Sequence, residues 1–308
     1  MRKTNMINNQ VFKTIVLLAY VSALMFTGCS GNTSKLAGGD EIVVVPVIGA
    51  DYRLQGNKSY DTFEGTIRSS TGCNVTYTLY RPTDAIKEVL VILGHGFLRS
   101  RKRMAYFARH LTSWGLPVVN VEFCNSKLWA GNHDQNGADM VAVARRLGPQ
   151  RTLYTGFSAG GLAALVAADL DKNAIAFFGL DMVDNQGLGK KTAPKLKIAS
   201  YGLIAAPSAC NAENNALKIY EQALDSFAVE VEDSSHCHFE IPVDRKCSLV
   251  CGRGETQFST QVIQQTILGL STAFMLWQTG IDTNGKTWWA DDYQNYKLLR
   301  DAGYIKEP

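Results

Sequence analysis

The 308-residue sequence predicts an α/β fold, a mostly parallel central sheet flanked by helices. Three observations carry that expectation. Residues 89–93 (VLVIL) form a continuous apolar run, as in a strand buried on both faces. From there on, apolar β-type runs alternate with helical segments, the pattern of parallel strands joined by right-handed crossovers. Finally, Thr152-Leu153-Tyr154-Thr155 leads through Gly156-Phe157-Ser158-Ala159-Gly160 directly into an alanine-rich stretch, a strand–turn–helix junction.

Taken in order, residues 41–49 (EIVVVPVIG) and 62–80 read as strands, with period two in Thr76-Tyr77-Thr78-Leu79-Tyr80. Residues 104–114 read as a helix, with Phe107 and Leu111 four apart and Gly115 as its stop. A strand over 116–123 (LPVVNVEF), a helix over 137–147, a strand over 151–156 and a helix over 161–170 follow. Residues 174–180 (AIAFFGL), 196–205 and 227–231 supply three more strands, and 257–278 a long closing helix. With no internal repeat and no second linker, 41–308 reads as one folded domain. A composition of 46% hydrophobic and 19% charged residues, with 27 Gly and 8 Pro, fits neither a disordered nor a collagen-like chain. A core of this size needs no metal or disulfide to hold it.

The formal charge is +3, but Arg2, Lys3 and Lys13 precede Cys29 and no acid does. Without them the body is neutral, which excludes the electrostatic footprint of a nucleic-acid binder. A basic start and an 11-residue apolar run at 16–26, too short for a comfortable membrane span, read as a signal peptide. The sequence Phe26-Thr27-Gly28-Cys29, followed by polar residues, resembles the bacterial lipobox, with Phe26 where that motif usually has Leu. The resemblance implies removal of 1–28, lipidation of Cys29, and 29–40 as a tether. Ser30, rather than Asp, implies sorting to the outer membrane. The chain is therefore expected to be exported and to meet the membrane only through its lipid anchor; the alternative is an ordinary secretory signal.

Six further cysteines, Cys73, Cys124, Cys210, Cys237, Cys247 and Cys251, suggest up to three disulfides among 15 possible pairings. Cys247 and Cys251 are close enough to close a small loop. His236-Cys237-His238 looks ligand-rich, but no CxxC pair exists and alternate residues of an extended segment face opposite sides. No metal is expected.

The G-x-S-x-G turn makes Ser158 the candidate nucleophile. A sharp turn displays its hydroxyl beside a helix N-terminus, and glycine at 156 and 160 removes collisions with the neighbouring strand and helix. An oxyanion needs two N–H donors. Ala159 follows the nucleophile, and Phe97 follows the glycines of Gly94-His95-Gly96, with Leu98 as fallback. The same stretch fails as a dinucleotide fingerprint because Arg99 stands at the third glycine, and 187–192 lacks Walker spacing, so no cofactor is expected. With the order Ser, acid, His, the base is His236 after the last strand, with His238 as runner-up. His95, His110 and His133 read as structural. The segment 204–214 offers no Asp and only Glu213, whereas the preceding strand ends in Asp181-Met182-Val183-Asp184. Asp181 is the first choice of acid and Asp184 the second.

These strings, together with Ser235-His236-Cys237-His238, resemble the α/β-hydrolase superfamily over roughly residues 75–275. The resemblance is to the branch holding plant chlorophyllases and platelet-activating-factor acetylhydrolases. It implies that the acid follows the earlier strand, in favour of Asp181. The chain departs with Ala159 where chlorophyllases usually carry Arg, and with Met182 for their Pro. The implied activity is that of a serine esterase, a lipase-like carboxylic ester hydrolase forming an acyl-enzyme on a small-molecule or lipid-like ester. A peptidase or amidase using the same triad, or a non-catalytic surface-binding lipoprotein, are the alternatives. The basic run Arg99-Ser100-Arg101-Lys102-Arg103 reads either as an attractor of anions or as a solvated helix start. Trp129 could line an acyl pocket, and 185–195 could form a flap. Trp288, Trp289, Tyr293 and Tyr296 could hold a polymer or dock the C-terminal segment.

Overall fold

Strict alternation of side chains along the central strands decides which layer each residue joins. Along β3 (Val89–Gly94), Val91 and Leu93 enter one buried cluster, while Leu90 and Ile92 enter another on the opposite face. β5 (Arg151–Phe157) and β6 (Ala174–Leu180) follow the same rule: Leu153 and Phe178 face one layer, Tyr154 and Phe177 the other. A computed structural model of the chain describes residues 45–308 except 86–87, 127–130, 253 and 291. The signal segment, Cys29, the tether and Trp129 lie outside those residues. Among the described residues no helix is long and apolar enough to cross a membrane.

The remaining strands are β1 (Tyr60–Arg68), β2 (Asn74–Pro82), β4 (Val118–Val121), β7 (Ala199–Ile204), β8 (Ser226–Val231) and β9 (Ile305–Lys306). Their order in the sheet is β1-β2-β4-β3-β5-β6-β7-β8-β9. The run from β4 to β8 is parallel, and β1, β2 and β9 add antiparallel pairs at the two edges.

α1 (Ala105–Ser113) and α7 (Thr260–Thr279) cover one face through Phe107, Leu111, Ile267 and Phe274. α2 (His133–Leu147) and α3 (Ala159–Leu170) cover the other through Met140 and Leu162. Each such side chain, fully buried, contributes about 1.5–3 kcal/mol. Asn132 caps α2 by accepting from the Gln135 N–H at 3.0 Å, and Gly148, at φ 71°, ends it in the left-handed region.

The C-terminal aromatics dock. Trp288, Trp289 and Tyr296 are buried, and Trp289 Nε1 donates to the Leu270 carbonyl at 2.8 Å. No polymer can reach them without unpacking the core.

Several expectations fail. Residues 45–49 form no strand; Pro46 has no donor, and Asn295 claims both backbone groups of Ile48, at 2.7 and 3.0 Å. Three short helices, α4 (Leu188–Thr192), α5 (Leu217–Tyr220) and α6 (Arg245–Cys251), occupy stretches without a periodic signal, and α8 (Gln294–Asp301) lies near the C-terminus. Cys247 and Cys251 do not pair with each other. On α6 they share a face and reach two different loops, giving Cys237–Cys247 and Cys210–Cys251, while Cys73 pairs with Cys124.

Candidate active site

β5 delivers Ser158 to the carboxyl edge of the parallel strands in an unusual backbone state, φ 54° and ψ −123°. Such a conformation costs about 1–3 kcal/mol and persists only when its surroundings enforce it. Here the Ser158 N–H is taken by the Leu180 carbonyl at 2.9 Å, and the Ser158 carbonyl accepts from the Gly161 N–H at 2.9 Å. The glycines permit a backbone-on-backbone approach. A Cβ on Gly156 would lie 2.4 Å from the Gly160 oxygen, and one on Gly160 would lie 2.4 Å from the His95 oxygen.

β8 ends in a turn at Asp233, φ 57°, and a short 3-10 turn (His236–Phe239) follows. His236 Nε2 lies 3.0 Å from Ser158 Oγ, and its Nδ1 lies 2.5 Å from Asp181 Oδ2. An ionised carboxylate only accepts, so Nδ1 carries the proton and Nε2 is left to receive the serine hydroxyl. The Phe157 ring lies 4.6 Å from the imidazole, beneath it.

Asp181 is 1% exposed and follows β6 at φ 40°. A carboxylate so buried must be hydrogen-bonded. Its Oδ1 accepts from the Ala205 N–H at 2.9 Å, and Asn211 Nδ2 reaches both oxygens at 3.3 and 3.4 Å. Burial, reinforced by the Asp181 charge, holds the Tyr220 phenol well above its ordinary range.

The alternatives are engaged elsewhere. Asp184 Oδ1 accepts from the Gly189 N–H at 2.7 Å. His238 Nδ1 accepts from the Ser235 N–H at 2.9 Å, capping its own turn. His95 Nδ1 donates to the Gly96 carbonyl at 2.8 Å and its Nε2 lies 3.1 Å from the Phe123 nitrogen, which holds the ring under the loop. His110 donates to the Tyr52 carbonyl at 3.0 Å, and burial pushes its pKa down to about 4. Burial lowers the His133 pKa too.

Leu98, at φ 57°, spends its N–H on the Ser126 carbonyl at 3.1 Å. Among the described residues the Phe97 N–H has no partner, and the Ala159 N–H opens α3, where no carbonyl precedes it in the helix. The two proposed donors are thus free, and the fallback is not.

The three arginines of the basic run pair with acids of the fold, while Lys102 is exposed. Arg99 lies 3.4 Å from Glu240 and 3.5 Å from Asp244, Arg103 also pairs with Asp244, and Arg101 lies 3.0 Å from Glu64. Asp244 caps α6, accepting from the Lys246 N–H at 2.7 Å. The run therefore ties the loop after β3 to the segment after His236. The Cys237–Cys247 disulfide follows the histidine directly, and Cys210–Cys251 precedes Asn211 directly. The sulfurs of Cys237, Cys247 and Cys251 lie within 4.8 Å of one another, yet each is already bonded in a disulfide.

Sequence reasoning missed Asn211, Tyr220, Glu240 and Asp244. The Ser208-to-Asn211 spacing is a capping-box signal for a rigid turn, but nothing in it shows that the amide is aimed at Asp181.

No protein-family model matches the chain, and no curated protein matches it. The molecule is thus placed by its geometry: an α/β protein with a buried, hydrogen-bonded chain Ser158–His236–Asp181 at the carboxyl ends of parallel strands.

Proposed function

We propose that this chain is a serine hydrolase of the α/β-hydrolase type that cleaves carboxylic esters through an acyl-enzyme. The observation that carries the reading is the unbroken hydrogen-bond chain Ser158 Oγ–His236–Asp181, with the serine on a strained turn. Ser158 Oγ attacks the ester carbonyl as His236 Nε2 takes its proton. Asp181 fixes the tautomer and balances the imidazolium charge. The Phe97 and Ala159 N–H groups stabilise the oxyanion. The tetrahedral adduct expels the alkoxide, which leaves as the alcohol with the proton from His236. Water, deprotonated by the same nitrogen, then attacks the acyl-serine and releases the acid.

The resemblance to the chlorophyllase and acetylhydrolase branch supports this class without identifying the substrate. A fluorophosphonate probe tests the reading. Labelling of folded protein, lost in Ser158→Ala together with an approximately 10⁶-fold fall in kcat on p-nitrophenyl acetate, is the expected result. Folded wild-type protein that takes up no label refutes it. The same reading has the chain exported and held to a membrane through Cys29; metabolic palmitate labelling, absent from Cys29→Ala, is the corresponding test.

A further inference from the structure

A cavity of about 300 Å³ opens between the segment entering α2 and the segment leaving β6. Its wall borders the ring of Phe97, whose N–H is one of the two assigned to the oxyanion. A Cβ on Gly131 would lie 3.5 Å from the Phe97 ring, and Asn185 and Gln186 follow Asp181 by four and five residues in the segment leaving β6. We propose that this cavity is a substrate subsite for a neutral, multiply hydroxylated group of about one sugar ring, which makes the substrate a carbohydrate ester. The inference rests on the hydrolase reading above and narrows its substrate class.

The lining carries the argument. Of the eight lining residues, Asn132, His133, Asp134, Asn185, Gln186 and Lys191 bear hydrogen-bonding side chains, and only Leu188 is a large apolar one. A slot for a fatty acyl chain is built the other way, mostly of apolar and aromatic groups with a few polar ones. Among the described residues, the side-chain ends of Asp134, Asn185, Gln186 and Lys191 make no hydrogen bond or ion pair. Asn132 uses its oxygen to cap α2, which leaves its Nδ2 as a donor. Donors and acceptors are therefore interspersed, as vicinal hydroxyls require, since each hydroxyl both gives and accepts.

Charge points the same way. Asp134 and Lys191 offset each other, and burial works against a charge on His133, so the lining holds no excess of positive charge to select an anion. The size lies at the small end of the roughly 300–1,000 Å³ typical of small-molecule sites. A larger cavity, about 570 Å³, includes Val89 and Leu90 at the amino end of β3, at the opposite edge from Ser158, and takes no part.

Two acetate esters of matched size decide the matter: methyl 6-O-acetyl-α-D-glucopyranoside, and cyclohexylmethyl acetate, which has the ring without hydroxyls. The expected result is a kcat/KM at least about tenfold higher for the sugar ester, because polar groups left unpaired by the cyclohexyl ring penalise it. In the Asn185→Leu, Gln186→Leu and Lys191→Met variants that ratio falls towards one; the ratio is internal to each variant, so general damage cancels. Equal or better cleavage of cyclohexylmethyl acetate, or a ratio that survives all three substitutions, overturns the proposal. Should the wild type cleave neither ester and take up no fluorophosphonate, the hydrolase reading fails by itself. The subsite is then read by saturation-transfer NMR with methyl α-D-glucopyranoside. Transfer in wild type that the three variants lose supports the subsite, and no transfer in wild type rejects it.

Discussion

The serine and the histidine of one hydrogen bond are held by different means. Ser158 is gripped by backbone: strand β5 behind it, α3 ahead, and glycines at 156 and 160 that let main chain touch main chain. His236 is gripped by side chains and sulfur: the Phe157 ring, the Ser235–His238 cap, the Arg99–Glu240 pair and the Cys237–Cys247 disulfide. The first device lies in the sheet and cannot be loosened without rebuilding it. The second is a set of removable parts, and each can be tested separately.

Short of removing the serine itself, the largest effect is expected where the two regions meet. Under the hydrolase reading, Asp181→Asn keeps the geometry but lets Nδ1 be the acceptor, so the proton sits on Nε2 and the nitrogen facing Ser158 cannot take the hydroxyl proton; kcat falls by roughly 10⁴. A loss below tenfold in steady-state ester hydrolysis would show that the acid is dispensable. Next comes the backbone grip. Gly160→Ala drives a methyl into the His95 carbonyl, and the serine displacement costs about a hundredfold in activity. Wild-type turnover with a wild-type melting curve would mean that the packing is softer than the distances imply.

The sulfur grip should fail in a distinguishable way. The Cys73–Cys124 bridge spans 51 residues and Cys237–Cys247 only 10, so chain entropy assigns them about 4 and about 3 kcal/mol. Paired Cys→Ser variants should therefore rank one way in urea denaturation and the reverse in kcat, with the shorter loop costing more activity, about tenfold. Matching rank orders would refute a positioning role for the bridge beside His236.

The smallest effect concerns Glu240. Burial raises its pKa despite Arg99 and Arg103, so the folded state holds that proton more tightly than the unfolded chain. Stability from this group is full below the unfolded pKa and is lost as pH rises through the folded one. Glu240→Gln should thus raise the melting temperature at pH 8 relative to pH 5 by a few degrees; an unchanged pH profile by calorimetry would contradict it.

The same contrast separates what the sequence made legible from what it hid. Ser158, Asp181 and His236 could be found because each stands where a strand rhythm stops and a chemically demanding residue begins. The parallel strands were legible for the same reason: two buried faces demand continuous apolar runs. The histidine's supports were not. A disulfide partner, or an arginine's acid, is fixed by distance in space and leaves no periodic trace, so Cys247 and Cys251 looked like a pair and Arg99–Arg103 like a free patch. Residues 45–49 misled from the other side. Their apolar string suits a strand, but Pro46 breaks the ladder, and the amide of Asn295, 247 residues from Ile48, supplies the pairing instead.

Phe157 and Ser158 are consecutive, and one carries the imidazole while the other faces it. A shift of β5 therefore moves the serine hydroxyl and the ring packed on the imidazole together. The strand that aims the nucleophile thus also supplies part of the seat of its partner, so one stretch of chain sets two sides of a single contact.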